Sequence, residues 1–244
     1  MQTAVELLRD CTATQALGVI VGPNGSGKTK ALLAIERTYG KLGLSGVAFY
    51  YRCHLNKRNS RGIKDILDAL GVRQAAFQSG ASVQFAIKTC LAELKKKKIH
   101  CLLVDEADLW TRESLLGLVG LFDMARLDGF DLVILLASTG NPDIWLAPVT
   151  AAKSRTLKVV EFAYMDRDLM LKVLCKWGTE FSSLADRVGK KEAEAAKVAG
   201  RIYKLTDGNF RRLSHYAALH LTYFQGQAPT TESVEMAQKK MTDH

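Results

Sequence analysis

Leu17-Gly18-Val19-Ile20-Val21-Gly22-Pro23-Asn24-Gly25-Ser26-Gly27-Lys28-Thr29 passes from a short apolar run into a glycine-rich turn that closes on a lysine and a threonine. The spacing G-x-x-x-x-G-K-[ST], from Gly22 to Thr29, has a physical meaning. Glycines let the backbone curl so that successive N–H groups face an anion, and a following helix adds the favourable end of its dipole. Lys28 then reaches the β- and γ-phosphates, while Thr29 offers a hydroxyl to Mg²⁺. Context supports this reading. Residues 17–21 read as a buried strand and 29–39 as an amphipathic helix, so Gly22, Pro23, Asn24, Gly25, Ser26, Gly27, Lys28 and Thr29 are expected to cradle a nucleotide, ATP with Mg²⁺.

Working outward, apolar runs bounded by turn residues recur at 47–51, 99–104, 132–136 and 157–162, with helical stretches between them. This alternation predicts a parallel sheet with crossover helices, an α/β fold. The runs at 99–104 and 132–136 are apolar nearly throughout, as strands covered on both faces must be. They are expected at the centre of the sheet. Beyond Phe162 the pattern turns helical, with helices predicted at 166–177, 190–205, 209–224 and 231–241. Asp166 and Thr231 suit N-caps, and Gly208 and Gly226 suit stops. Two domains are predicted, an αβα core over residues 1–163 and an all-helical domain over 164–244.

Composition excludes several classes. With 244 residues, 48% of them hydrophobic and 24% charged, the chain can bury a full core, and no apolar run is long enough to cross a bilayer. Met1-Gln2-Thr3-Ala4-Val5-Glu6 lacks the basic start and apolar block of a secretory signal. Cys11, Cys53, Cys90, Cys101 and Cys175 are scattered without a C-x-x-C pair. A reducing, cytoplasmic setting is expected. The net charge of +9 favours a polyanionic partner. Lys95-Lys96-Lys97-Lys98, the one basic block, reads as the C-terminal turn of a helix, where it complements the dipole.

A second chemical motif is Cys101-Leu102-Leu103-Val104-Asp105-Glu106, a buried strand ending in two acids. Ligands of open α/β sheets bind at the carboxyl edge, where such a strand delivers Asp105 beside the phosphate loop. Asp105 would hold Mg²⁺ through water together with Thr29, and Glu106 would orient and polarise an attacking water. That pairing points to hydrolysis rather than to transfer onto a small acceptor. A P-loop kinase is therefore the weaker alternative.

These residues, with the helical stretch to Arg126 and the strand 132–136 running into Ala137-Ser138-Thr139-Gly140-Asn141-Pro142, resemble the core of AAA+ ATPases. The resemblance implies a sensor 1 residue, Asn141 with Thr139 second. It also implies an arginine that enters a neighbouring subunit's site, matched by Arg155 in Ala152-Lys153-Ser154-Arg155-Thr156. In Asp207-Gly208-Asn209-Phe210-Arg211-Arg212-Leu213, Arg211 falls at the sensor 2 position of a helical lid. Within AAA+ proteins, the short stretch before the loop, Asp105-Glu106-Ala107-Asp108, the Gly-Asn-Pro turn and the compact helical part look like the initiator-related branch with transposition ATPases of the TniB, TnsC and Mu B type. That branch implies self-association, binding of double-stranded DNA and recruitment of a transposase or recombinase. Mu B carries an additional N-terminal DNA-binding domain, whereas here only residues 1–16 precede the first strand, so DNA contacts are expected from the ATPase body. Lys57, Arg58, Arg61 and Lys64 are the basic cluster suited to phosphate contacts. Cys53-His54 lacks the partner pair that a metal site needs. An alternative reading is a nucleotide-gated protein-interaction switch of the ExeA-like kind, without a DNA role.

Overall fold

The computed structural model describes residues 2–53, 62–72 and 82–242. It divides into two compact units, one comprising Met1–Gly22 with Lys28–Phe162, the other Pro23–Gly27 with Ala163–His244. In chain order the first unit holds α1 (Gln2–Thr14), β1 (Leu17–Val21), α2 (Lys28–Thr38), β2 (Val47–Arg52), α3 (Ile63–Ala69) and α4 (Val83–Lys96). There follow β3 (Ile99–Asp105), α5 (Arg112–Leu127), β4 (Val133–Ser138), α6 (Pro142–Trp145), α7 (Thr150–Arg155) and β5 (Thr156–Glu161).

The five strands form one sheet in the order β2-β3-β4-β1-β5, and every pairing is parallel. All six residues of β4 are buried, as are six of the seven in β3, whereas β5 at an edge is mostly exposed. The expected α/β architecture and its two central strands are therefore present. Alternation across the pleat splits the core into two layers. Leu102, Val104, Ile134 and Leu136 pack with residues of α3, α4 and α5 on one face. Cys101, Leu103, Val133 and Leu135 pack with α1 and α2 on the other. Burying each such aliphatic side chain is worth about 1.5–3 kcal/mol, so the covered central strands hold the carboxyl edge rigid. At that edge β1, β3 and β4 end, followed by the phosphate loop, Asp105-Glu106 and the Gly140-Asn141 turn respectively.

In the second unit lie α8 (Arg167–Leu174), α9 (Thr179–Gly189), α10 (Ala193–Thr206), α11 (Phe210–Tyr223) and α12 (Thr231–Thr242). Their core includes the fully buried Phe181 and Tyr216. Asp166 caps α8 by accepting from Leu169 N–H at 2.7 Å. Four helices were expected here and five are described: α9 is additional. Its Phe181, Leu184 and Val188 keep helical spacing, yet Ser182, Ser183 and Asp186 dilute the pattern. Gly208 adopts φ +64°, and a Cβ there would lie 2.1 Å from the carbonyl oxygen of Met165. Only glycine allows that approach, which Met165 N–H stabilises by donating to Gly208 O at 3.0 Å. Among the described residues no helix is long and apolar enough to cross a membrane.

Candidate functional site

Gly22, Lys28 and Thr29 at the ends of the phosphate loop lie in the first unit with the acid strand. Lys28, buried at the start of α2, donates from Nζ to Gly22 O at 2.7 Å, across the loop. Thr29 Oγ1 donates to Asp105 Oδ2 at 2.7 Å. Asp105 is 1% exposed, a costly place for a carboxylate unless donors surround it. They do: Oδ2 also accepts from Tyr50 Oη at 2.9 Å, and Oδ1 accepts from Glu106 N–H at 3.0 Å. Burial, then the Asp105 charge, pushes the Tyr50 phenol above its usual range, so it stays a donor.

Glu106 has φ 56° and ψ 40°, a left-handed conformation that costs a non-glycine residue on the order of 1–3 kcal/mol and that Gln15, Lys98, Lys191 and Asp207 also adopt. Its Oε1 accepts from Arg52 at 2.6 Å. Its Oε2 is buried and, among the described residues, has no hydrogen-bond partner. A carboxylate so placed keeps one acceptor unused. Sequence reading missed Tyr50 and Arg52. The available signal was period two: both sit on one face of β2, polar tips in an otherwise apolar strand.

Other candidate residues have structural tasks here. Asn141 is exposed, and its Oδ1 caps α6 by accepting from Asp143 N–H at 2.8 Å. Thr139 Oγ1 donates to Asp108 Oδ2 at 3.1 Å. Arg155, at the end of α7, donates from Nε to Asp123 Oδ1 of α5 at 2.5 Å and from Nη1 to Ala151 O at 2.9 Å. Lys64 lies half-buried in α3. Lys57, Arg58 and Arg61 fall outside the described residues.

Within the second unit, the loop tip Pro23–Gly27 is tied to the start of α11. Asn209 Nδ2 donates to Asn24 O at 2.9 Å, Phe210 N–H to Gly25 O at 2.7 Å, and Tyr164 Oη to Asn24 O at 3.2 Å. Asn209 Oδ1 meanwhile caps α11, accepting from Arg211 and Arg212 N–H at 3.0 and 3.2 Å. Arg211 is exposed in its first turn. A trans peptide points C=O and N–H in opposite directions. Anchoring Asn24 O therefore turns the Gly25 N–H away from the helices. Ser26 Oγ is buried with no partner among the described residues.

The donor chemistry fits a hard cation. Thr29 hydroxyl and Asp105 carboxylate are oxygen donors of the kind Mg²⁺ takes, with water and phosphate completing its octahedron. Among the described residues no three His, Cys, Asp or Glu converge as a cage, so water and phosphate would have to supply the remaining ligands.

Residues 11–143 match the family model described as AAA domain. No curated protein matches the sequence. Among solved structures, Aeropyrum pernix ORC2, in ADPNP–ADP complexes, aligns with TM-score 0.61 and 16% identity over 92% of this chain and 62% of that one. Domain III of the Thermotoga maritima replication initiation protein DnaA aligns with TM-score 0.63 and 15% identity over 98% and 89%. The Aeropyrum pernix ORC1 protein in complex with DNA aligns with TM-score 0.59 and 18% identity over 98% and 64%. The chain thus spans less than two thirds of the ORC2 and ORC1 lengths, and the likeness to all three is one of fold.

Proposed function

Because the chain belongs to the AAA domain family, we propose that it binds ATP with Mg²⁺ at residues 22–29 and hydrolyses it. The supporting observation is the Thr29–Asp105 hydrogen bond at 2.7 Å, which joins the phosphate loop to the acid strand. Bound Mg²⁺ would neutralise charge on the β- and γ-phosphate oxygens. Lys28 would turn from Gly22 O to the phosphates, and Thr29 and Asp105 would hold the metal, Asp105 through water. Glu106 orients the water that attacks the γ-phosphorus, and the bond from phosphorus to the ADP oxygen breaks as the water's proton passes toward Glu106. Asn141 acts as sensor 1, Arg211 as sensor 2, and Arg155 completes the site of a neighbouring subunit in an oligomer. Residues 1–163 form the nucleotide-binding core and 164–244 a helical lid.

The wider role we propose is an ATP-dependent DNA-binding ATPase that marks duplex DNA and recruits a transposase or recombinase. The net charge of +9 supports this, as does similarity of fold to an ORC1 protein solved with DNA. Duplex binding measured with an ATP analogue, with ADP and without nucleotide, across salt concentrations, tests it. Binding in the analogue state with a steep salt dependence is expected. No binding in any state would sink the DNA role. A second reading, a nucleotide-gated switch with a protein partner, is favoured by the exposed apolar Leu157 and Val159 of the edge strand β5 and Ile144 of α6. It predicts nucleotide-dependent protein association with no stimulation of hydrolysis by DNA.

A further inference from the structure

An ionised carboxylate offers about four lone-pair positions. Among the described residues Asp105 uses three of them: Oδ1 accepts from Glu106 N–H, and Oδ2 accepts from both Thr29 Oγ1 and Tyr50 Oη. The position left over belongs to Oδ1. A water carried by a metal ion needs an acceptor on Asp105, and the Tyr50 hydroxyl decides which oxygen presents it.

Tyr50 is itself held firmly. It lies on β2, paired in register with Leu103 of β3, two residues before Asp105. Its backbone N–H, at the free side of the edge strand, donates to Glu36 Oε1 at 2.9 Å. Glu36 and Thr29 both lie on α2, and their seven-residue spacing puts them two turns apart on one helical face. One face of α2 thus fixes Asp105 directly through Thr29 and indirectly through Glu36 and Tyr50. Removing the phenol oxygen would free Oδ2 to accept from water and let the carboxylate turn about its Cβ–Cγ bond.

We propose that Tyr50 is a positioning residue for the divalent cation: its hydroxyl pins the Asp105 carboxylate so that a single Oδ1 lone pair faces the metal's water shell. This rests on the Mg²⁺–ATP reading of the site. Groups that orient a metal's direct ligands change metal affinity by roughly 10–100-fold when removed; Tyr50 acts on a carboxylate that holds the metal through water, so the lower end of that range applies.

The test is a Mn²⁺ titration, followed by electron paramagnetic resonance, of the full chain loaded with a non-hydrolysable ATP analogue. Wild type is compared with Tyr50→Phe, and analogue affinity is measured separately in EDTA. Phe keeps the ring and the packing of β2, so the variant folds. The expected result is Mn²⁺ affinity reduced about tenfold, with metal-free analogue affinity unchanged. Unchanged Mn²⁺ affinity overturns the assignment. So does an equal loss in both measurements, which would make the hydroxyl a general prop of the site. Wild type that binds analogue but no Mn²⁺ removes the Mg²⁺–ATP reading itself, and the role of Tyr50 falls with it.

Discussion

Glu106 is strained in its backbone and paired in its side chain. The Arg52–Glu106 pair is 58% and 27% exposed on its two sides, and such ion pairs contribute about 0.2–1 kcal/mol. Holding Oε1 on a guanidinium makes the carboxylate a poorer acceptor for water, so Arg52 restrains it. Arg52→Ala is expected to raise basal ATP turnover up to about fivefold, the factor that 1 kcal/mol allows, while Glu106→Gln stops turnover with binding intact. A phosphate-release assay decides, and a slower Arg52→Ala enzyme would mean that the pair aligns Glu106 instead. Arg155 follows the same arithmetic. Its bond to Asp123 is one-third exposed and cheap to release, so a neighbouring nucleotide could draw it away. Arg155→Ala should slow turnover roughly 10³-fold or more if the side chain acts as an arginine finger, and mixing with Glu106→Gln subunits should restore part of the rate. Normal hydrolysis by Arg155→Ala alone would remove the shared-site model.

At the level of elements, the loop tip depends on Gly25. Its φ is +82°, and an added Cβ would lie 2.2 Å from Asn209 Oδ1. A side chain in left-handed backbone costs about 1–2 kcal/mol before any clash. Gly25→Ala should therefore lower ATP affinity at least about tenfold, with far-ultraviolet circular dichroism unchanged; calorimetric titration measures the first. Much of this layout was legible in the sequence. The loop, the acid strand and the central strands carry local signals: glycine spacing, unbroken apolar runs and terminal acids. What escaped were partners set by tertiary register. Arg52 meets Glu106 and Tyr50 meets Asp105 because β2 pairs with β3, and Arg155 meets Asp123 because α7 packs on α5. No spacing within one segment announces such pairs. The helix α9 escaped for a different reason, its three large apolar residues being too few among polar neighbours to fix a period.

Across the whole molecule the cysteines behave as core residues. Cys11, Cys53, Cys90 and Cys101 are buried and Cys175 is half-buried. Burial pushes the Cys11 and Cys90 thiols from 9.0 to about 12, so they stay neutral and unreactive at physiological pH. Native chain should expose one thiol, Cys175, to a chromogenic reagent, and all five after denaturation. Rapid labelling of more than one would contradict the burial of the other four. The sign of the linkage follows. In the unfolded chain these thiols ionise near pH 9 but in the folded one only near 12, so stability is retained below pH 9 and falls as pH rises from there toward 12. Denaturation midpoints between pH 7 and 10.5 would show it.

The strand order carries a consequence for biosynthesis. β1, from which the phosphate loop springs, finds no sheet partner nearby in the chain: Leu17 pairs with Ile134 on one side and Thr156 on the other. A ribosome adding about 10 residues per second needs on the order of 10 s to make the intervening chain. For that interval the nascent polypeptide carries the glycine-rich loop on an apolar strand with both edges unpaired. Both edges of β1 are covered only once β4 and β5 have been made.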